Sequence, residues 1–135
     1  MKIVLKLTLL LVIILIQFSY AEQPKLKEAA VKPTEAAIGD TIKVVVEFTG
    51  VQKDIREVYL TVREYQYDYP RIPLVADTTC KKNIWAMKGP IPDEAPPELF
   101  HLDITAIDKE GKEIVTKGFE QSYTGKAGTI ELKVK

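Results

Sequence analysis

Thr41-Ile42-Lys43-Val44-Val45-Val46-Glu47-Phe48-Thr49 is the stretch on which the fold turns. Successive side chains of an extended chain point to opposite faces, so Ile42, Val44, Val46 and Phe48 share one face while Lys43, Glu47 and Thr49 share the other. Val45 alone breaks the alternation. Gly39-Asp40 before the run and Gly50 after it are turn formers that punctuate both ends. The pattern predicts a strand with one face in a core and the other in water.

Working outward, the same period of two recurs. Over residues 56–65, Val58, Leu60 and Val62 alternate with Glu57, Tyr59, Thr61 and Arg63. Over 99–107, Phe100, Leu102, Ile104 and Ala106 oppose His101, Asp103 and Thr105. Over 129–135, Ile130, Leu132 and Val134 oppose Glu131, Lys133 and Lys135. Short strands are expected at 82–87, where the inward pair is undecided between Ile84/Ala86 and Trp85/Met87, and at 112–116, as a hairpin return after the turn Asp108-Lys109-Glu110-Gly111. The prolines at 70 and 73 limit ladder donation, so 71–76 reads as an edge strand or a connection that switches sheets. Residues 89–97, with three proline interruptions, read as a stiff crossover outside any ladder. Residues 118–128 read as a loop. The only helical hint is a turn around 34–37.

About seven short strands, with turns every ten or so residues, predict an all-β chain folded as a two-layer antiparallel sandwich. Two stretches resemble a known family: Ile38-Gly39-Asp40-Thr41-Ile42, and the run from Ala95-Pro96-Pro97-Glu98-Leu99-Phe100 through Asp108-Lys109-Glu110-Gly111-Lys112. They are similar to the B-strand entry and the F-G hairpin of bacterial immunoglobulin-like modules, relatives of fibronectin type III domains. The resemblance implies an immunoglobulin-like β-sandwich. It implies no particular activity, because that sandwich hosts many unrelated functions.

The first 21 residues read as a signal peptide. Lys2 and Lys6 lead an apolar run over 7–18, and Ser19-Tyr20-Ala21 supplies a small-x-small site before the polar Glu22-Gln23-Pro24. The alternative is an uncleaved anchor, since the apolar run is near the shorter limit for spanning a bilayer. The organisation that follows is a leader over 1–21, a polar tether over 22–26 and one domain over 27–135. Cleavage leaves 114 of the 135 residues, enough for a single core. The expected location is the periplasm, cell surface or medium, with no membrane insertion once the leader is removed.

The leader holds two of the 19 basic residues and none of the 19 acidic ones, so the mature part carries 17 against 19. That balance lacks the clustered positive charge of a nucleic-acid partner. Cys80 is the only cysteine and cannot close a bridge within the chain; it reads as a buried small hydrophobe, with an intermolecular disulfide as the alternative.

Catalytic readings find few residues. Zinc needs three or four ligands, and the chain has one histidine and one cysteine. A serine nucleophile would have to be Ser122 with His101, from a loop and the polar face of a strand. A thiol pair of Cys80 with His101 lacks an activating context near the cysteine. Asp103, Asp108 and Glu110 gather near one hairpin without the spaced ligand series of a calcium loop, and Asp108 reads as a turn former. Gly125-Lys126 fails as a phosphate loop because Glu120 stands where the earlier glycine belongs. Asn83 is followed by Ile84-Trp85 and is no glycan acceptor. No catalytic residue, metal or cofactor is therefore assigned.

Tyr65-Gln66-Tyr67-Asp68-Tyr69 offers the candidate binding site. Continued as a strand, it would set Tyr65, Tyr67 and Tyr69 in a row on one face, flanked by Arg63 and Arg71. The sequence thus predicts a noncatalytic exported module that binds an envelope or extracellular protein, through end loops, this tyrosine row or strand addition along 71–75. The alternative is a small carbohydrate-binding module that stacks a glycan on the tyrosines.

Overall fold

A computed structural model describes residues 22–114, 116 and 128–135. The leader at 1–21, Ser122, Gly125-Lys126 and nearly all of the loop expected at 118–128 lie outside the described residues. The described chain is all-β. Its strands are β1 (Leu26–Lys32), β2 (Glu35–Ala36), β3 (Thr41–Phe48), β4 (Ile55–Val62), β5 (Ile72–Ala76), β6 (Asn83–Pro90), β7 (Leu99–Asp108) and β8 (Gly128–Val134). Two single 3-10 turns, Gln52–Asp54 and Arg63–Tyr65, interrupt them.

Hydrogen bonding joins all eight strands in the order β1-β3-β6-β5-β4-β7-β8-β2. Every pairing is antiparallel except β2 with β8, where Glu35 and Ala36 run parallel to Lys133 and Val134. The expected count of about seven strands, all antiparallel, is corrected to eight strands in a mixed sheet. The two-residue β2 carries too few side chains to show a period, and 34–37 forms this strand in place of a helical turn.

β5 makes the sheet continuous. Its first three residues pair with Leu60, Tyr59 and Val58 of β4, and its last two pair with Ala86 and Trp85 of β6. The 71–76 segment is therefore the switching connection, and each of its halves has a single partner. At the opposite side the sheet rolls toward closure, because β1 comes against β8. A Cβ on Gly128 would overlap Leu26 Cδ2, so glycine at that position permits the approach.

The apolar faces read from the sequence meet in one core. Ile42, Val44, Val46 and Phe48 are buried, as are Val58 and Leu60, the four inward residues of β7, and Ile130, Leu132 and Val134. In β6 the inward pair is Trp85 and Met87; the Trp85 indole Nε1 donates to Asn83 Oδ1 at 2.9 Å while Asn83 Nδ2 donates to the Thr49 carbonyl at 3.2 Å. Trp85 and Asn83 are both buried with their polar groups paired, as a core requires.

Several local expectations are corrected. Gly89 and Pro90 belong to the ladder, opposite Ile42 and Thr41 of β3; Pro90 ends its strand, where a missing N–H does little harm. The 22–26 segment is tied to the fold: Pro24 is buried, Lys25 and Thr49 exchange hydrogen bonds, and Gln23 Nε2 reaches Asp108 Oδ2 at 3.0 Å. The return expected at 112–116 makes one bridge, Glu113 to Ile107, and a bond from Ile114 N–H to the Ala106 carbonyl. Cys80 is exposed, in the turn after β5, and so is no core residue.

Candidate functional site

An apolar cavity of about 390 Å³ lies between the two halves of the rolled sheet, at one end of the fold. The elements that frame it are the start of β3 (Ile42, Val44), the end of β4 (Leu60, Val62), the start of β7 (Phe100, Leu102) and the end of β8 (Leu132, Val134). These are the inward residues of alternating strands, so the same period that builds the core lines the cavity. Its size falls within the range of about 300–1,000 Å³ common for small-molecule sites.

The crossover after β6 roofs it through Ile91, Pro92 and Ala95, and Tyr69, Pro70 and Ile72 form the facing lip. Pro70, Pro90 and Pro92 are the exposed residues of the lining. Proline fixes its own φ, so the mouth is held by stiff chain and little conformational freedom is lost when a guest enters. Among the lining residues, the only side chain with a polar group is Tyr69.

The tyrosines do not form a row. The chain leaves the extended conformation at Arg63–Tyr65, and the N–H groups of Asp68 and Tyr69 both bond to the Tyr65 carbonyl. Residues four apart in such a turn come to one side, so Tyr65 and Tyr69 meet edge to face with centroids 5.7 Å apart. Tyr67 points away and is 93% exposed. Tyr65 also packs on Phe100 at 5.9 Å, which sets the tyrosine pair beside the cavity mouth. Its hydroxyl bonds to the Glu98 carboxylate, and that bond, with burial second, pushes the phenol's pKa up.

The two arginines flanking the tyrosines have other partners. Arg63 donates from Nε and Nη2 to the two oxygens of Asp103, and Nη2 also reaches Thr129 Oγ1 at 2.9 Å. Arg71 lies over the Tyr59 ring, 4.5 Å from its centroid. Of the five residues singled out from the sequence, Tyr69 alone lines the cavity, and Tyr65 supports it through Phe100. The cavity itself went unread in the sequence, because nothing in a strand's alternation states how far apart two facing layers sit.

The carboxylates weighed for calcium go separate ways. Asp103 is held by Arg63 and Thr129, whereas Asp108 Oδ1 accepts from the N–H groups of Glu110 and Lys112, both at 2.9 Å. The Lys112 bond, followed by that from Gln23, holds the Asp108 carboxyl below its ordinary value. Asp108 is the turn former its position indicated, and Gly111 completes the turn at φ +86°, a conformation that favours glycine. His101 Nδ1 lies 2.7 Å from Glu64 Oε1, in a separate contact. Among the described residues, no group of three or more His, Cys, Asp or Glu is placed to hold a metal ion.

No protein-family model matches the chain, and no curated protein matches it. Among solved structures, it is similar to a Niemann-Pick type C2 protein from the Japanese carpenter ant, at 10% identity and a TM-score of 0.49, over 87% of this chain and 96% of that one. It is similar to the CARDB domain of a Pyrococcus furiosus protein determined with di-metal ions, at 15% identity and a TM-score of 0.45, over 86% and 97% of the two chains. It also matches 31% of the length of a Pseudomonas fluorescens alkylpurine DNA glycosylase, at 11% identity and a TM-score of 0.47, over 85% of this chain. Likeness at this level says nothing of activity.

Proposed function

We propose that the chain is an exported, noncatalytic, immunoglobulin-like module that works by binding, and that the cavity under the 91–95 roof is where it binds a small apolar molecule. The observation that carries this reading is the lining. A water molecule needs two to four polar partners to be held in a cavity, and these walls offer almost none, so an apolar guest is the favoured occupant. The stiff mouth and the buried strand residues behind it support a site that exists before the guest arrives. Export, to the periplasm, cell surface or medium, rests on the reading of residues 1–21.

The reading keeps the class expected from the sequence, a binding module, and moves its site from the outer surface to the interior. A glycan platform has less support, because stacking needs a flat row and the 65–69 turn presents Tyr67 alone. The test is a titration with the neutral fluorophore N-phenyl-1-naphthylamine. Saturable fluorescence enhancement is expected from the parent, and its loss from Ala95→Trp, which fills the roof. A folded parent that gives no saturable enhancement overturns the proposal.

A further inference from the structure

Val45, the residue that breaks the alternation of β3, is not alone on the outer face of the sheet. Register places Ala30 of β1 and Ala86 of β6 opposite Val45, and Val75 of β5 opposite Ala86, so four apolar side chains form one row across four strands. Ala30 and Val75 are exposed, Val75 to 71%, and Val45 and Ala86 are half-buried. Two residues along the strands to one side, Lys32, Lys43 and Lys88 form a second row. To the other side stand Glu28, Glu47 and Ile84, with Asp77 beyond, its N–H bonded to the Ile84 carbonyl at 2.8 Å. A basic band and an acidic band thus flank an apolar stripe, and a shallow groove over β1 and β3 is lined by all three. Like charges directly opposite one another destabilise a sheet, and among the described residues no carboxylate lies within ion-pair distance of these three lysines.

We infer that this face docks against the same face of a second copy of the chain. A two-fold axis along the apolar row, midway between two copies set face to face, reverses the strand direction and brings the basic band of each over the acidic band of the other. Lys32 then stands over the other copy's Glu28, and Lys43 over its Glu47. Glu47 already meets Lys27 Nζ at 3.1 Å, so Lys32 with Glu28 is the pair that gains most. An axis along the strands would instead lay lysine on lysine, so the bands select one of the two arrangements. Alanine and valine keep the stripe low enough for the spacing of about 10 Å between packed sheets. Four strands about 4.8 Å apart, spanned over five residues at about 3.4 Å each, give a face of roughly 19 by 17 Å. That is small for a specific interface, so the dimer is a weak one, with a dissociation constant of about 10–100 μM. The face lies outside the sheet, and the inference stands apart from the cavity.

The experiment is sedimentation equilibrium of the exported chain at about 20 mM and about 500 mM salt. A monomer–dimer equilibrium is expected at low salt, weakened at least about fivefold at high salt, where the facing charges are screened. Lys32→Glu sets like charges over one another twice in each dimer and is expected to weaken it at least about tenfold. Adding Glu28→Lys restores the opposition with the signs exchanged, and is expected to bring the affinity back to within about threefold of the parent. Both positions are exposed, so the variants keep the fold. A parent still monomeric at about 300 μM in low salt overturns the inference. So does a dimer indifferent to Lys32→Glu, or a double variant that dimerises no more tightly than the single one.

Discussion

Arg63 grips Asp103 through two nitrogens, with Nε 3.0 Å from Oδ2 and Nη2 on Oδ1, and Thr129 Oγ1 donates to the same Oδ1 at 2.7 Å. The two charged side chains are 17% and 20% exposed, so solvent screens the pair weakly. Three separate parts of the chain meet there: the 3-10 turn after β4, the middle of β7 and the start of β8. Arg63→Ala leaves Asp103 half-buried without its cation and is expected to cost about 1.5–3 kcal/mol, read from urea unfolding. Arg63→Lys is expected to recover only part of that, since a point charge cannot reproduce the fork. A loss below about 0.5 kcal/mol in Arg63→Ala would refute this account.

Asn83 serves Trp85 and the Thr49 carbonyl at once, from a position 2% exposed. Replacement by leucine keeps the volume and strands the indole N–H in the core. A loss of about 1–3 kcal/mol is expected, accompanied by a shifted tryptophan emission maximum.

Asp108 links stability to acid. Its folded pKa lies below the ordinary carboxylate value of 3.8, so the unfolded chain takes up the proton first as pH falls. The stabilisation is fully present above that value and is lost as pH drops through the folded pKa. Asp108→Asn is expected to melt below the parent at neutral pH, and the gap is expected to narrow in acid. Thermal scans from neutral pH down to about 2 check the convergence. A gap that stays constant over the series refutes it.

Cys80 sits exposed in the 77–82 turn. A maleimide is expected to label the native protein stoichiometrically, without denaturant and with no change in melting temperature. Labelling that requires unfolding would contradict the exposed turn.

How far the sequence could be read depended on how each segment is stabilised. In β3, β7 and β8 one face is buried along most of the strand, and burial of one face demands alternation, so Ile42 to Phe48 and Phe100 to Ala106 announced themselves. β1 has a single fully buried residue, Val31, and owes its form to the ladder it makes with β3, so Leu26–Lys32 shows no period. The tyrosine segment misled for a related reason. Alternating aromatics satisfy a strand pattern, yet Pro70 lies just beyond, and the chain turns directly after β4, first at Arg63–Tyr65 and then through the bonds to the Tyr65 carbonyl. Cys80 misled because its residue type is usually buried, whereas Thr78-Thr79 and Lys81-Lys82 around it mark a turn. The candidate site was the least legible part. It depends on the spacing of facing layers and on where the crossover lies, both of which are properties of the assembled sheet.

The double allegiance of β5 bears on how the molecule comes apart. A strand shared end to end between β4 and β6 is a rivet: the halves cannot part without tearing its bonds to one or the other. Amides of β4 and β6 should therefore exchange with deuterium in a single slow event, at a common free energy, while the lip and roof of the cavity breathe on their own. Guests could then come and go without the frame ever opening.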